Sequence, residues 1–554
     1  MKHFISLFLI VLPLSVFSQT APDKYWVQFT DKIDSPYSID QPEKFLSFRA
    51  IDRRARYNID INESDLPVNP AYMNAIDSLG ADILHSSKWF NGISIYLTNP
   101  LILEDIRELP FVSRIKTVIT IIGQYPIDKF EKTFKSTMSA STEIDSSFYD
   151  YGDAANQIGM IKGHVLHNQG FHGEGMIIAV LDGGFTRVNT NPAFDSLRNN
   201  NQILGNWDFV KNQPLSFEAH THGGHVLSVM AANIPGVMIG SAPKASYYLL
   251  RTEDGGSEFR IEEDNWVAGA EYADSAGADL INSSLGYTKF TDSGMDYTYE
   301  DLDGNTTRIT QAADMAASKG ILVVNSAANE GNTDWKYIGA PADGDSVLTV
   351  GAVDSNGDYA SFSSIGPTAD GRIKPNISAQ GKEAALANSY GDVIFANGTS
   401  FSSPLICGMT ACLWQANKYL NNMELIDIIQ KSASQADSPD AYLGYGIPDY
   451  GQAFFSVLGI DSFNTNTNDI VRIFPNPFTS YLTVDYYSPI PKEFELRIVD
   501  LQGRLAYQKN FDPGYLNLNR IKLTDLNGLS SGVYFIQIVS DDLFFHQKVI
   551  KQTY

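Results

Sequence analysis

Two patterns of apolar residues divide the chain. From about residue 150 to 458, apolar runs are short and nearly unbroken, and they end in small or polar residues: "MIIAVLDGG", "ADLINSSLG", "GILVVNSAANEG" and "VLTVGAVD". Helix-like stretches such as "NWVAGAEYADSAG" and "RITQAADMAASKG" lie between them. Strands without polar alternation, separated by helices, predict an α/β fold with a parallel sheet covered on both faces. Functional groups of such sheets gather at the carboxyl ends of the strands. From 471 to 554 the period changes to two. Phe494, Leu496 and Ile498 alternate with Glu495 and Arg497, Gln502-Gly503 marks a tight turn, and a second hairpin turns at Asp541-Asp542. This pattern predicts a C-terminal all-β sandwich.

Residues 19–140 read as a smaller α+β unit. "YWVQFTDK", "NGISIYLT" and "VSRIKTVITII" are strand-like, while "QPEKFLSFRAIDRRARYN" and "LILEDIREL" are helix-like;. Polar joints, "DKFEKTFKSTMSASTEIDSSFYDYG" and "DSFNTNTNDI", separate the units, the second giving a linker at 459–470. Residues 1–18 combine Lys2 with an apolar run broken by Pro13 and small residues at Val16 and Ser18. That is the pattern of a cleaved export signal. The competing reading, an uncleaved membrane anchor, needs a longer apolar run than this one. The mature chain is thus expected to have no transmembrane segment.

The 554 residues are 43% hydrophobic and 12% aromatic, enough for several packed cores;. The net charge of -24 argues against nucleic acid as a partner, because phosphate binding needs a basic surface;. Cys407 and Cys412 lie five positions apart in a helix-like run, off a common face, and read as two buried thiols;.

Three short stretches carry candidate chemistry. "VLDGGF" places Asp182 at the end of a buried strand, "HTHGGHVLSVMAA" places His222 before an apolar helix, and "NGTSFSSP" places Ser400 at a helix start. A serine hydroxyl becomes a nucleophile when an imidazole takes its proton. The imidazole in turn needs a carboxylate to fix its tautomer. Unpaired N–H groups at a helix start favour a developing oxyanion, and Asn329 offers a further amide donor. Each residue has another reading taken singly. Asp182 and Ser400 also suit helix N-caps, Asn329 suits a braced turn, and His220, His222 and His225 together suit a metal site.

The order Asp, His, Ser, with these flanking glycines, resembles the subtilisin-like serine peptidases (S8 family) over about 300 residues;. The resemblance implies a subtilisin-like parallel sheet flanked by helices over 150–458 and a triad of Asp182, His222 and Ser400. It also implies Asn329 as oxyanion donor and His225 as a second, non-catalytic histidine. Ser283, Ser284, Leu285 and Gly286 would pair with an extended substrate, Gly339 would lie near the base of the specificity pocket, and Glu330 would favour basic residues weakly at its rim. The reaction implied is endopeptide hydrolysis of protein or peptide substrates, requiring no cofactor for its chemistry. A structural calcium ion fits the family, and "YEDLDGNTT", with Glu300, Asp301, Asp303 and Asn305, offers oxygens for one or forms a solvated turn;. The sequence departs from the family pattern at Gly183, Gly224, Ala328 and Phe401. Ala328, where glycine is usual, bears most directly on the oxyanion loop.

The 19–140 unit resembles the propeptides of this family, which chaperone folding and block the site. Cleavage is then expected in the polar joint before Tyr151. The 471–554 unit resembles the type IX secretion sorting domain of Bacteroidetes: "VRIFPNPFTSYLTV", "LRIVDLQGRL" and "LSSGVYFIQI" carry its motifs. That implies the type IX secretion machinery as a partner and a secreted or outer-surface location after export through the periplasm. An ordinary binding sandwich is the competing reading. For the whole chain the alternatives are a catalytically weak or inactive subtilisin-fold peptide-binding surface protein, resting on Ala328, and a metal-dependent hydrolase, resting on the histidines.

Overall fold

The computed structural model describes residues 23–119, 129, 148–457, 470–487, 493–512, 518–524, 526, 528–540 and 544–552. The expected export signal, most of the first polar joint, the 459–470 linker but for Ile470, and the Asp541-Asp542 turn lie outside these residues.

The N-terminal unit is a four-stranded antiparallel sheet of β1 (Lys24–Phe29), β2 (Asp82–Ser87), β3 (Gly92–Tyr96) and β4 (Val112–Ile119), in the order β2-β3-β1-β4. Its first long helix, α1 (Phe48–Arg56), begins later than the sequence pattern suggests. Pro42 holds a short 3-10 turn upstream, and the Ser47 hydroxyl then caps the helix by accepting the Ala50 N–H at 3.2 Å;. β2 and the helix α2 (Pro70–Ser78) carry little periodicity and were not legible in the pattern.

The large middle unit is built on seven parallel strands: β5 (Ile177–Asp182), β6 (Ile203–Asp208), β7 (Ser246–Arg251), β8 (Leu280–Ser283), β9 (Leu322–Ser326), β10 (Val347–Val353) and β11 (Ile377–Gln380). Their order is β11-β10-β9-β8-β5-β7-β6. β5, β8, β9 and β10 are buried at every position, because alternate side chains feed two different cores. Ile178 and Val180 pack with Val226 and Leu227 of α3 (His222–Ala231) and Leu405 of α6 (Thr399–Ala416). Ile177, Ala179 and Leu181 pack on the other face with Trp266 and Ala270 of α4 (Ile261–Ala276) and Ile309 of α5 (Arg308–Ser318). A strand buried on both faces has no polar face to expose, so unbroken apolar runs are its signature.

The C-terminal unit has two antiparallel sheets. One joins Ile470–Phe474, Leu482–Tyr487 and Leu518–Leu523; the other joins Leu505–Phe511, Phe494–Asp500, Gly532–Val539 and Phe544–Lys551. Phe494, Leu496 and Ile498 point into a shared core with Leu482, Val484 and Ile536, as the alternation requires. Gly503 takes φ +77° in the turn, donating its N–H to the Asp500 carbonyl at 2.9 Å. Cys407 and Cys412 are both free and buried on α6, where burial pushes both thiols up. Among the described residues, no helix is long and apolar enough to cross a membrane.

Candidate active site

Asp182 closes β5 and is fully buried. Its Oδ1 accepts the Gly183 N–H at 2.7 Å and lies 2.8 Å from Nδ1 of His222, the first residue of α3. With Nδ1 as donor, the lone pair of that imidazole sits on Nε2, the atom able to take a proton. The approach depends on Gly223. A Cβ there would stand 2.5 Å from the Gly184 carbonyl oxygen and 3.0 Å from Asp182 Cβ, so a side chain would push the helix start away from the strand end. Arg251, at the end of β7, braces the same loop. Its Nε donates to the Gly183 carbonyl at 3.0 Å while another nitrogen pairs with Asp208 at 2.9 Å.

The other two histidines have separate surroundings. His220 Nδ1 accepts the His222 backbone N–H at 3.1 Å. His225 is buried one turn into α3. Burial first, then the neighbouring His222 and His220, push it down to about 3, so it is neutral at pH 7. Among the described residues, the group with metal-ligand spacing is Glu253, Glu258 and Glu262, not the histidines. The oxygens of the 300–305 run are used locally. Asp301 accepts the Thr298 N–H at 2.8 Å, and Asp303 accepts the N–H groups of Asn305 and Thr306 at 2.8 and 2.7 Å.

Ser400 is the second residue of α6, after the N-cap Gly398. α6 packs against α3, and the ring of Phe401, the next residue, lies 6.2 Å from the His222 ring. Pro404 sits inside the helix four positions on and has no N–H, so the Ser400 carbonyl loses its usual helical partner;. Ser284 replaces it: its hydroxyl donates to the Ser400 carbonyl at 3.1 Å. Asn329 Oδ1 accepts the Thr399 N–H at 2.8 Å and the Thr399 hydroxyl at 3.1 Å. Its oxygen thus held, the amide NH₂ is left for the cleft it lines together with Ser400;.

A cavity of about 490 Å³ opens on this group, lined among others by Ser284, Leu285, Gly286, Ala328, Asn329 and Ser400. Ser283 is not on that wall: it pairs inside the sheet with Leu181 and Asn325, and its hydroxyl accepts the Trp266 indole N–H at 3.1 Å. Gly339 stands behind the edge, where a Cβ would meet Thr288 Cγ2 at 3.3 Å and Tyr287 N at 3.4 Å. Glu330 lines the cavity and accepts the Thr333 hydroxyl at 2.9 Å.

Ala328 adopts φ +79°, a conformation that costs an L-residue about 1–2 kcal/mol;. Ala328→Gly removes that strain but adds freedom to the unfolded chain. A net gain of about 0.5–1 kcal/mol is expected, read as a higher thermal unfolding midpoint. An unchanged or lower midpoint would show that any strain at this residue is no larger than the freedom glycine adds to the unfolded chain.

Comparison with known proteins supplies the family. Subtilisin NAT of Bacillus subtilis subsp. natto is 30% identical over 327 residues, covering 58% of this chain and 77% of its own. Subtilisin DY of Bacillus licheniformis is 31% identical over 296 residues, covering 52% and 94%. The Subtilase family profile matches residues 173–446. The chain belongs to the subtilase family. This subtilase is a serine-type endopeptidase. Its residues 24–132 match the Peptidase S8 propeptide domain of Bacteroidota, and 472–552 match the Secretion system C-terminal sorting domain, which makes it a secreted or cell-surface protein. Among solved structures, MycP1 from Mycobacterium smegmatis aligns with a TM-score of 0.43 at 21% identity, over 60% of this chain and 89% of that one.

Arg251, the Ser284 bond to the Ser400 carbonyl, and Thr399 as the anchor of Asn329 were not legible in the sequence. None has a local signature. Each acts through a backbone group whose partner is set by the fold.

Proposed function

We propose that the protein is a secreted endopeptidase that cuts peptide bonds through an acyl-enzyme on Ser400. The observation that carries this reading is the 2.8 Å contact of Asp182 with His222 Nδ1, held beside the helix start that bears Ser400. His222 Nε2 takes the Ser400 proton as the hydroxyl attacks the substrate carbonyl, then returns it to the leaving amine. Asp182 fixes the tautomer and stabilises the imidazolium. The Ser400 N–H and the Asn329 amide stabilise the oxyanion, and Ser284 to Gly286 receive the substrate as an added strand. Water then attacks the acyl carbon with His222 again as base. Every proton in this scheme moves between protein, substrate and water, so no cofactor enters it. The C-terminal domain delivers the enzyme to the type IX secretion machinery, after passage through the periplasm.

A mixed peptide library tests the scheme. The processed protein is expected to cut internal bonds, to keep its rate in the presence of a zinc chelator, and to stop after treatment with a serine-directed phosphonate. A library left intact by folded protein, or protected by the chelator alone, would contradict it.

A further inference from the structure

The cleft beside Ser400 continues away from the reacting groups to a cluster of glutamates. Glu253 follows β7, Glu258 lies in the next loop, and Glu262 lies in the first turn of α4. Their carboxylate oxygens fall within 4.8 Å of one another, and Glu253 and Glu258 line the same cavity as Ser400. An ammonium group is seated among them. Lys129 Nζ ion-pairs with Glu258 at 2.8 Å and also with Glu253 and Glu262, and the Tyr287 hydroxyl donates to Glu253. The Lys129 backbone N–H donates to the Gly255 carbonyl at 3.4 Å.

The carboxylates are withdrawn from water, Glu253 and Glu262 being 3% and 2% exposed at their side chains. Burial raises Glu258 to about 7 and Glu262 well above its ordinary value, while Lys129 opposes both shifts. Burial by itself would lower the Lys129 ammonium; the three glutamates hold it well above its ordinary value instead. Lys129 falls within the propeptide match of 24–132, at the very start of the polar joint where cleavage is expected. Once the propeptide leaves, the pocket opens and its three acids have lost the ammonium group that paired them, a charge imbalance that a new cation relieves.

We propose that in the mature enzyme the Glu253, Glu258 and Glu262 pocket binds a lysine or arginine side chain of the substrate, N-terminal to the scissile bond. Lys129 is then the propeptide's own occupant of that pocket. This rests on Ser400 being the reacting group of the cleft. The side is fixed by connectivity, because the propeptide is the N-terminal product of the cut. The basic preference expected from Glu330 therefore has a stronger source elsewhere in the same cleft, where three acids converge instead of one.

Quenched peptides test this with the mature enzyme. One series carries lysine, arginine or uncharged norleucine at each of positions two to six before the bond. At one position, lysine and arginine are expected to raise kcat/KM at least 100-fold over norleucine. Glu262→Gln is expected to shrink that ratio at least 10-fold. In the full precursor, Lys129→Met is expected to slow self-processing at least 10-fold and Lys129→Arg to restore it. Cleavage with equal rates for lysine and norleucine at every position would overturn this inference and leave the Ser400 reading standing. Cleavage of no peptide would overturn both. Rates that follow added calcium, with no lysine preference, would identify a cation site and also overturn it.

Discussion

The precursor carrying Ser400→Ala is expected to stay at full length and to lose peptide hydrolysis by about 10⁶-fold, the order known for this nucleophile in subtilisin itself. The size follows from the way the three groups act as a unit. Asp182 and His222 are already joined at 2.8 Å, but without the hydroxyl they have no proton to move;. On the proposed scheme, what remains is binding in the cleft and the proposed oxyanion donors, Asn329 and the helix start. The fold itself should survive, because the Ser400 carbonyl, which Ser284 satisfies, is unchanged by the substitution. The check is a gel of the purified precursor over time, together with the rate on a peptide substrate. Processing at the normal rate without added protease would show that another group performs the cut.

The second large effect is expected at the contact between the propeptide and catalytic units. Asp274, on α4, is fully buried and pairs with three cations from the N-terminal unit: Arg53 at 2.6 Å, Arg54 at 2.9 Å and Lys88 at 2.8 Å. Arg54 also meets Asp65 at 2.6 Å, and Lys319 of the catalytic unit meets Asp65 at 3.2 Å. Removing one member of a buried charge network leaves the others unpaired, at a cost of about 3–5 kcal/mol. Asp274→Ala is therefore expected to destabilise the precursor by that amount, read from its thermal midpoint or its folded yield. In the processed enzyme, which no longer holds Arg53, Arg54 and Lys88, the same change is expected to cost less than about 0.5 kcal/mol. Equal losses in both forms would contradict the account. Acid acts in the same direction. Burial would raise the Asp274 carboxyl, but Lys88, Arg54 and Arg53 outweigh it and hold the group below the usual carboxylate range. A depressed carboxylate contributes stability that is present above its ordinary value, about pH 4, and lost as pH falls through the lower one.

Much of this was legible in the sequence, for a physical reason. Strands buried on both faces show as unbroken apolar runs, so β5, β8, β9 and β10 could be read directly. The residues that end or follow them are the ones the proposed site draws on: Asp182 on β5, Ser284 after β8 and Asn329 after β9. The period-two alternation of Phe494 to Ile498 likewise disclosed the sandwich. β2 was not legible, because "DILHSS" does not alternate: Ile83 and Leu84 are adjacent and pack on two different apolar clusters, while His85 and Ser87 spend their side chains on α4. His85 pairs with Asn265 at 2.9 Å, and Ser87 donates to Glu271. The glutamate pocket was hidden for a related reason. Glu253, Glu258 and Glu262 sit in an acidic stretch that reads as solvated surface until a lysine more than a hundred residues upstream is seated among them. Ala328 shows the reverse case: the substitution was visible in the sequence, and the structure supplied its backbone strain at φ +79°.

Intact-mass and peptide-mapping mass spectrometry of the processed enzyme after reaction with a serine-directed phosphonate tests the central claim most directly. The account predicts one adduct per chain, on Ser400, absent when His222 is replaced by alanine. An adduct on another residue, or a folded enzyme that cuts peptides yet takes up no phosphonate, would contradict it.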